Sequence, residues 1–144
     1  MGGILAALLL LIATSKHDVA GTATKPSSNG TAFVIEFALT AIFVSVILQA
    51  SRSGAFGASA LLAIPLTLIA VHLTAIPFSG SSVNPARTLG PDLIGNTWTE
   101  IWIYLTAPLL GSALAAAIHR TVVAPSTEKV GAPVAEVLEG GASA

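Results

Sequence analysis

Hydrophobic and polar residues in this chain are sorted into long blocks. Residues 31–50 read TAFVIEFALTAIFVSVILQA, with Glu36 as the one charge. Residues 54–78 carry no charge and a single histidine, His72. Residues 100–119 read EIWIYLTAPLLGSALAAAIH, and the pattern fades by residue 123. A helix needs about 20 mostly apolar residues to cross about 30 Å of hydrocarbon. The pattern therefore predicts transmembrane spans over about 31–50, 54–78 and 100–123. At the N-terminus only residues 4–13 are continuously apolar. A signal-peptide core has that length, but no Lys or Arg precedes it, and Lys16, His17 and Asp18 separate it from the small residues at 20–23. Residues 2–14 read better as the end of a transmembrane helix whose beginning lies outside the chain.

The connections are polar. Residues 15–30 end in Pro26-Ser27-Ser28-Asn29-Gly30, which is turn chemistry. Asn29-Gly30-Thr31 matches a glycosylation acceptor, but it abuts the bilayer and reads as a chance match. Ser51-Arg52-Ser53-Gly54 is a short turn. Residues 124–144 are small, contain Gly and Pro, and lack an apolar stripe, which predicts a disordered tail. Alternating loops place Lys16 and Lys25 on one side and Arg52, Arg120 and Lys129 on the other. The positive-inside rule then puts the C-terminus in the cytoplasm, by three charges to two.

Composition sharpens this picture. Apolar residues make up 53% of the 144 and charged residues 9%, against about 25% charged in a soluble domain. Mean hydropathy is +0.84. Six Lys and Arg and seven Asp and Glu give a net charge of -1, which excludes the basic patch of a nucleic-acid binder. Without cysteine there is no disulfide, thiolate metal site or cysteine nucleophile. His72, Asp92 and several serines co-occur, but no nucleophile motif surrounds them. The expectation is no catalytic residue, no metal and no cofactor.

Residues 79–97, SGSSVNPARTLGPDLIGNT, are neither span nor ordinary loop. Asn84 is a good N-cap and Pro85 suits the first helical position. Gly95-Asn96 supplies a stop. Pro91 is expected to end or bend this helix early. Residues 85–94 would extend about 15 Å, half the hydrocarbon thickness. Such re-entrant backbone is tolerated where protein buries it or where it lines a wet cavity. Arg87, one turn in, is either a functional site inside the membrane or a loop arginine snorkelling to the headgroups.

These residues carry a resemblance. Asn84-Pro85-Ala86-Arg87, with His72 and LTAIPFSGSSVNPARTLGP around it, resembles the second half of the aquaporin (major intrinsic protein) family. Phe33-Val34-Ile35-Glu36-Phe37 resembles the start of that family's fourth helix. Trp102-Ile103-Tyr104 through Pro108-Leu109-Leu110-Gly111 resembles its sixth, and Gly2-Gly3-Ile4-Leu5-Ala6-Ala7 the end of its third. The resemblance covers residues 2–123. It implies an all-α membrane protein, half of a right-handed helical bundle with one re-entrant half helix. Family chains hold two inverted repeats, each with one such motif. Residues 31–123 match the second, so the chain looks incomplete as a pore.

The resemblance also implies roles. His72, Ser81 and Arg87 would form part of the narrow outer filter, and the carbonyls of Gly80, Ser81, Ser82 and Val83 would accept hydrogen bonds from passing water. Asn84, in the motif with Pro85 and Ala86, would cap the half helix and also donate to a central water. The positive helix end together with these donors would orient that water and interrupt a proton wire. Glu36 would brace the loop by accepting backbone N–H groups. Gly111 and Ala115 have small-xxx-small spacing, which fits either close helix contact or an ordinary Ala-rich helix.

Thr88, where glycerol facilitators of the family carry Asp, and the bulky His72 both favour water. Leu105, where water channels place a second aromatic after Tyr104, keeps a small neutral solute such as glycerol open. A non-conducting truncated subunit is the remaining alternative. The implied partners are the lipid bilayer and a homo-oligomer, tetrameric by resemblance, or a complementary first-half chain. The implied location is the plasma membrane.

Overall fold

The structure, a computed structural model, describes residues 2–51 and 59–123. Among the described residues six α-helices run in the order α1 (Gly2–Ala13), α2 (Lys16–Gly21), α3 (Asn29–Ala50), α4 (Ala60–Ser79), α5 (Pro85–Gly95) and α6 (Ile101–Ile118). A π-helical turn, His119–Val123, extends α6. The first residues of the predicted second span, 54–58, and the predicted tail, 124–144, lie outside the described residues. Among the described residues three helices are long and apolar enough to cross a membrane: Asn29–Ala50, Leu61–Ser79 and Ile101–Val122. The shorter α5 has 11 residues, or about 16 Å.

Local chemistry explains the boundaries, and three differ from expectation. Ser28 caps α3 by accepting from the Thr31 amide at 3.3 Å, so Asn29 and Gly30 lie in the first helical turn. Within the segment read as loop, α2 forms because Ser15 and Asp18 make a reciprocal capping box. Pro91 does not end α5. The helix is fixed at both ends, by the Asn84 cap and by a left-handed Asn96, and it packs on α1 at Ala86 and Gly90 and on α2 at Gly95. One lost backbone bond is the smaller effect.

Small residues set the packing. Gly111 of α6 sits directly on the Phe37 carbonyl of α3, where a Cβ has no room. Ala32, Ile103, Tyr104 and Ala107 form the core of this contact, with Phe33 and Phe37 packed against it. The Phe33 and Trp102 rings stack at its edge, 6.0 Å apart. α4 packs on α3. Gly3 of α1 meets the Ala86 carbonyl of α5, and Gly90 of α5 meets the Gly3 backbone in return. Without apolar association in lipid, such close approach lets dispersion hold helices together. The outward faces are apolar: Ile12, Leu61 and Leu73 are 82%, 78% and 72% exposed. That is the inverse of a water-soluble surface and suits lipid.

Candidate functional site

The site begins with backbone that L-residues rarely adopt. α4 ends at Gly80, whose φ of 76° is left-handed. Ser81 and Val83 also have positive φ, 56° and 57°. Each non-glycine residue there costs about 1–2 kcal/mol. The chain turns sharply three times in four residues, so its amides cannot pair within a regular element.

Glu36 supplies the missing partners from α3. Its Oε1 accepts from the Ser79 hydroxyl at 2.6 Å and the Ser82 amide at 2.8 Å. Its Oε2 accepts from the Val83 amide at 2.7 Å. The carboxyl is fully buried. Hydrogen bonds to a charged group contribute about 1.5–3 kcal/mol each, enough to outweigh the loop strain. From the other side, the Tyr104 hydroxyl of α6 donates to the Ser79 carbonyl at 2.6 Å. The Ser79 hydroxyl also accepts from the Ser81 amide at 3.1 Å. The sequence alone assigns neither Ser79 nor Tyr104 a role in this loop. A serine at a helix end and a tyrosine in an apolar span carry no local signal for a pairing 25 residues apart.

Asn84 follows in extended conformation, and its Oδ1 accepts from the Ala86 amide at 2.9 Å. With Oδ1 engaged, the free hydrogen-bonding group of the carboxamide is its NH2, on a residue exposed to solvent. The positive end of α5 points the same way as this cap, toward the start of the helix.

Two clefts flank that end. One, of about 370 Å³, is walled by α3, α4, α6 and the loop. It brings His72 together with Ser82, Val83, Asn84, Pro85 and Arg87. The other, of about 440 Å³, lies against α1 and is lined by Ala86, with Asn84 and Arg87 again. Arg87 and Asn84 therefore stand between the two. His72 is half-buried, and neither its Nδ1 nor the Arg87 Nη1 has a hydrogen-bond partner among the described residues. Gly80 and Ser81 line neither cleft. Ser81 is fully buried, with its hydroxyl unpartnered. Among the described residues no cluster of His, Asp and Glu is suited to a metal.

Three helices of membrane-spanning length and composition, packed with a braced loop and a shorter half helix, define an integral membrane protein. The family model for major intrinsic proteins matches residues 1–119, and the chain belongs to that family. It is 37% identical over 134 residues to the probable aquaporin TIP3-2 of Arabidopsis thaliana, covering 90% of this chain and 50% of the relative. It is 35% identical over 136 residues to aquaporin Z of Rhodopseudomonas palustris, covering 85% and 57%. Aquaporin NIP1-1 of Arabidopsis thaliana is 37% identical over 131 residues, covering 90% and 43%. The chain spans about half the length of the curated relatives it matches.

Proposed function

We propose that the chain forms one wall of a passive water pore, with no chemical step. The observation that carries this is the cleft of about 370 Å³ in which His72 and Arg87 each hold a buried nitrogen without a partner, beside Asn84. Unpartnered polar atoms in a membrane protein call for a polar guest, and a file of water both donates and accepts in series. Arg87 presents a fixed, permanent charge that repels cations. His72 narrows the opposite wall. In this reading the carbonyls of Ser82 and Val83, both at the cleft, accept from water as it passes, and Gly80 and Ser81 extend the same row beyond it. The Asn84 NH2 group, in the Asn84-Pro85-Ala86 motif, orients the central molecule.

Residues 31–123 act as the second of two inverted repeats, and residues 2–14 as the end of the preceding helix. The open side of α5 is covered by an oppositely oriented repeat, from a complementary first-half chain or a second copy, within a homo-oligomer of tetrameric form. The membrane is the plasma membrane, with the C-terminus cytoplasmic.

A second reading, a small neutral solute such as glycerol, is favoured by Leu105, which is aliphatic and half-buried beside Tyr104. Vesicle swelling in glycerol separates the two. Water flux without glycerol entry supports the first reading, and comparable glycerol entry supports the second.

A further inference from the structure

Ser82 is 1% exposed and Thr88 is 0% exposed, and their hydroxyls meet beneath the start of the half helix. Thr88 Oγ1 lies 2.6 Å from Ser82 Oγ. Ser82 Oγ lies 2.8 Å from the Asn84 carbonyl and 3.4 Å from the Asn84 amide. The Ser82 amide is held by Glu36 at 2.8 Å.

Proton counting fixes the direction of this chain of bonds. A hydroxyl has one proton to donate and two lone pairs to accept with. A carbonyl has no proton, so Ser82 must donate to the Asn84 carbonyl. The Asn84 amide has no lone pair to offer, so Ser82 accepts from it. Ser82 then has one accepting position left and no proton, and Thr88 must donate to Ser82. All the hydrogen-bonding capacity of the Ser82 hydroxyl is used, on a residue that is almost fully buried.

The geometry points to Thr88 as a positioning residue, which keeps the Ser82 proton on the Asn84 carbonyl and so ties the first turn of the half helix to the loop that Glu36 braces. Residue 88 does not touch either cleft. It acts through Ser82 on the orientation of Asn84. The requirement is chemical and narrow: position 88 must donate. Serine meets it. Valine has the shape of threonine and no proton. Aspartate reverses the bond, because a carboxylate draws the Ser82 proton to itself and releases the Asn84 carbonyl. The effect on conduction rests on the water-pore reading above, whereas the effect on the loop does not.

The experiment uses the full chain in liposomes, as wild type, Thr88→Val, Thr88→Ser and Thr88→Asp, with two readouts. Amide hydrogen exchange over residues 79–88 is expected to accelerate about fivefold to tenfold in Thr88→Val, as one buried hydrogen bond is lost, while α3 and α6 keep wild-type rates. Thr88→Ser is expected to exchange like wild type. Osmotic water flux and glycerol entry are measured on the same vesicles, and the ratio of water to glycerol permeability should fall in Thr88→Val and recover in Thr88→Ser. Thr88→Asp, which buries a carboxylate, is the variant most prone to misfold, and the Val and Ser pair decides without it. Wild-type exchange in Thr88→Val would overturn the inference. So would faster exchange combined with an unchanged permeability ratio. If no chain conducts, alone or together with a complementary first-half chain, the water-pore reading fails, and the exchange data still decide whether Thr88 holds the loop.

Discussion

Glu36 is the residue on which the loop depends. Its carboxylate accepts from one hydroxyl and two backbone amides, all buried. Glu36→Gln offers one oxygen and one NH2 group, so a donor must face a donor at either Val83 or the Ser79–Ser82 pair. We expect a loss of about 3 kcal/mol, read as a lower unfolding midpoint in detergent, since orphaned buried donors cost about 1–3 kcal/mol each. Glu100→Gln, at the mouth of α6, should leave the midpoint unchanged. Arg87→Ala removes the fixed charge shared by both clefts. Glycerol entry, measured against water flux, should rise, and an unchanged ratio in an active channel would remove Arg87 from the filter. Glu36 is visible in the sequence because a lone charge in an apolar block has to find partners. Those partners are not visible: the Glu36 bonds span 43 to 47 residues and end on two serines and a valine that look like any loop. Ser81 is the opposite case: its motif position says filter, and its side chain is buried away from both clefts.

At the scale of elements, glycine decides where helices touch. Gly111 has the Phe37 carbonyl where a Cβ would go. Gly111→Ala should therefore force α3 and α6 apart and destabilise by about 1–3 kcal/mol, with the thermal midpoint as the measurement. The spacing of Gly111 and Ala115 leaves contact and mere composition equally open. The backbone-to-backbone approach is a tertiary fact. The half helix is the reverse case. A good cap, Pro at the first position and an Asn stop are local chemistry, and residues 85–94 read from sequence correspond to Pro85–Gly95 in the structure. Pro91 misleads because a helix secured at both ends can lose one internal bond. The short helix α2 escapes notice because six residues bury only Val19 and leave no periodic stripe.

Its capping box makes a pH prediction. The hydrogen bond from the Ser15 side chain, and then that from the Ser15 backbone, hold the Asp18 carboxyl below its usual range. A carboxyl with a lowered value in the folded state stabilises the cap above the ordinary range, and that support disappears as pH falls through the lowered value. Helical carbon shifts of residues 16–21, followed by NMR, should hold from neutral pH to about 5 and fade below about 4. Shifts that persist at acid pH would show that the cap does not depend on the charge.

At the scale of the whole molecule, the chain is built with apolar faces outward and its polar groups gathered around one loop. The block pattern of the sequence makes the outward faces legible, because lipid selects composition over about 20 residues at a time. The inward geometry depends on three turns of left-handed backbone, which no residue-by-residue pattern announces. The central claim is that His72, Asn84 and Arg87 face a path for water. The direct test is stopped-flow shrinkage of liposomes holding the chain, alone and together with the segment of Rhodopseudomonas palustris aquaporin Z outside the aligned stretch, each with an Arg87→Trp control. The account predicts shrinkage faster than in empty liposomes in at least one of the two preparations, abolished by the tryptophan. Shrinkage at the empty-liposome rate in both, or fast shrinkage that Arg87→Trp leaves untouched, would contradict it.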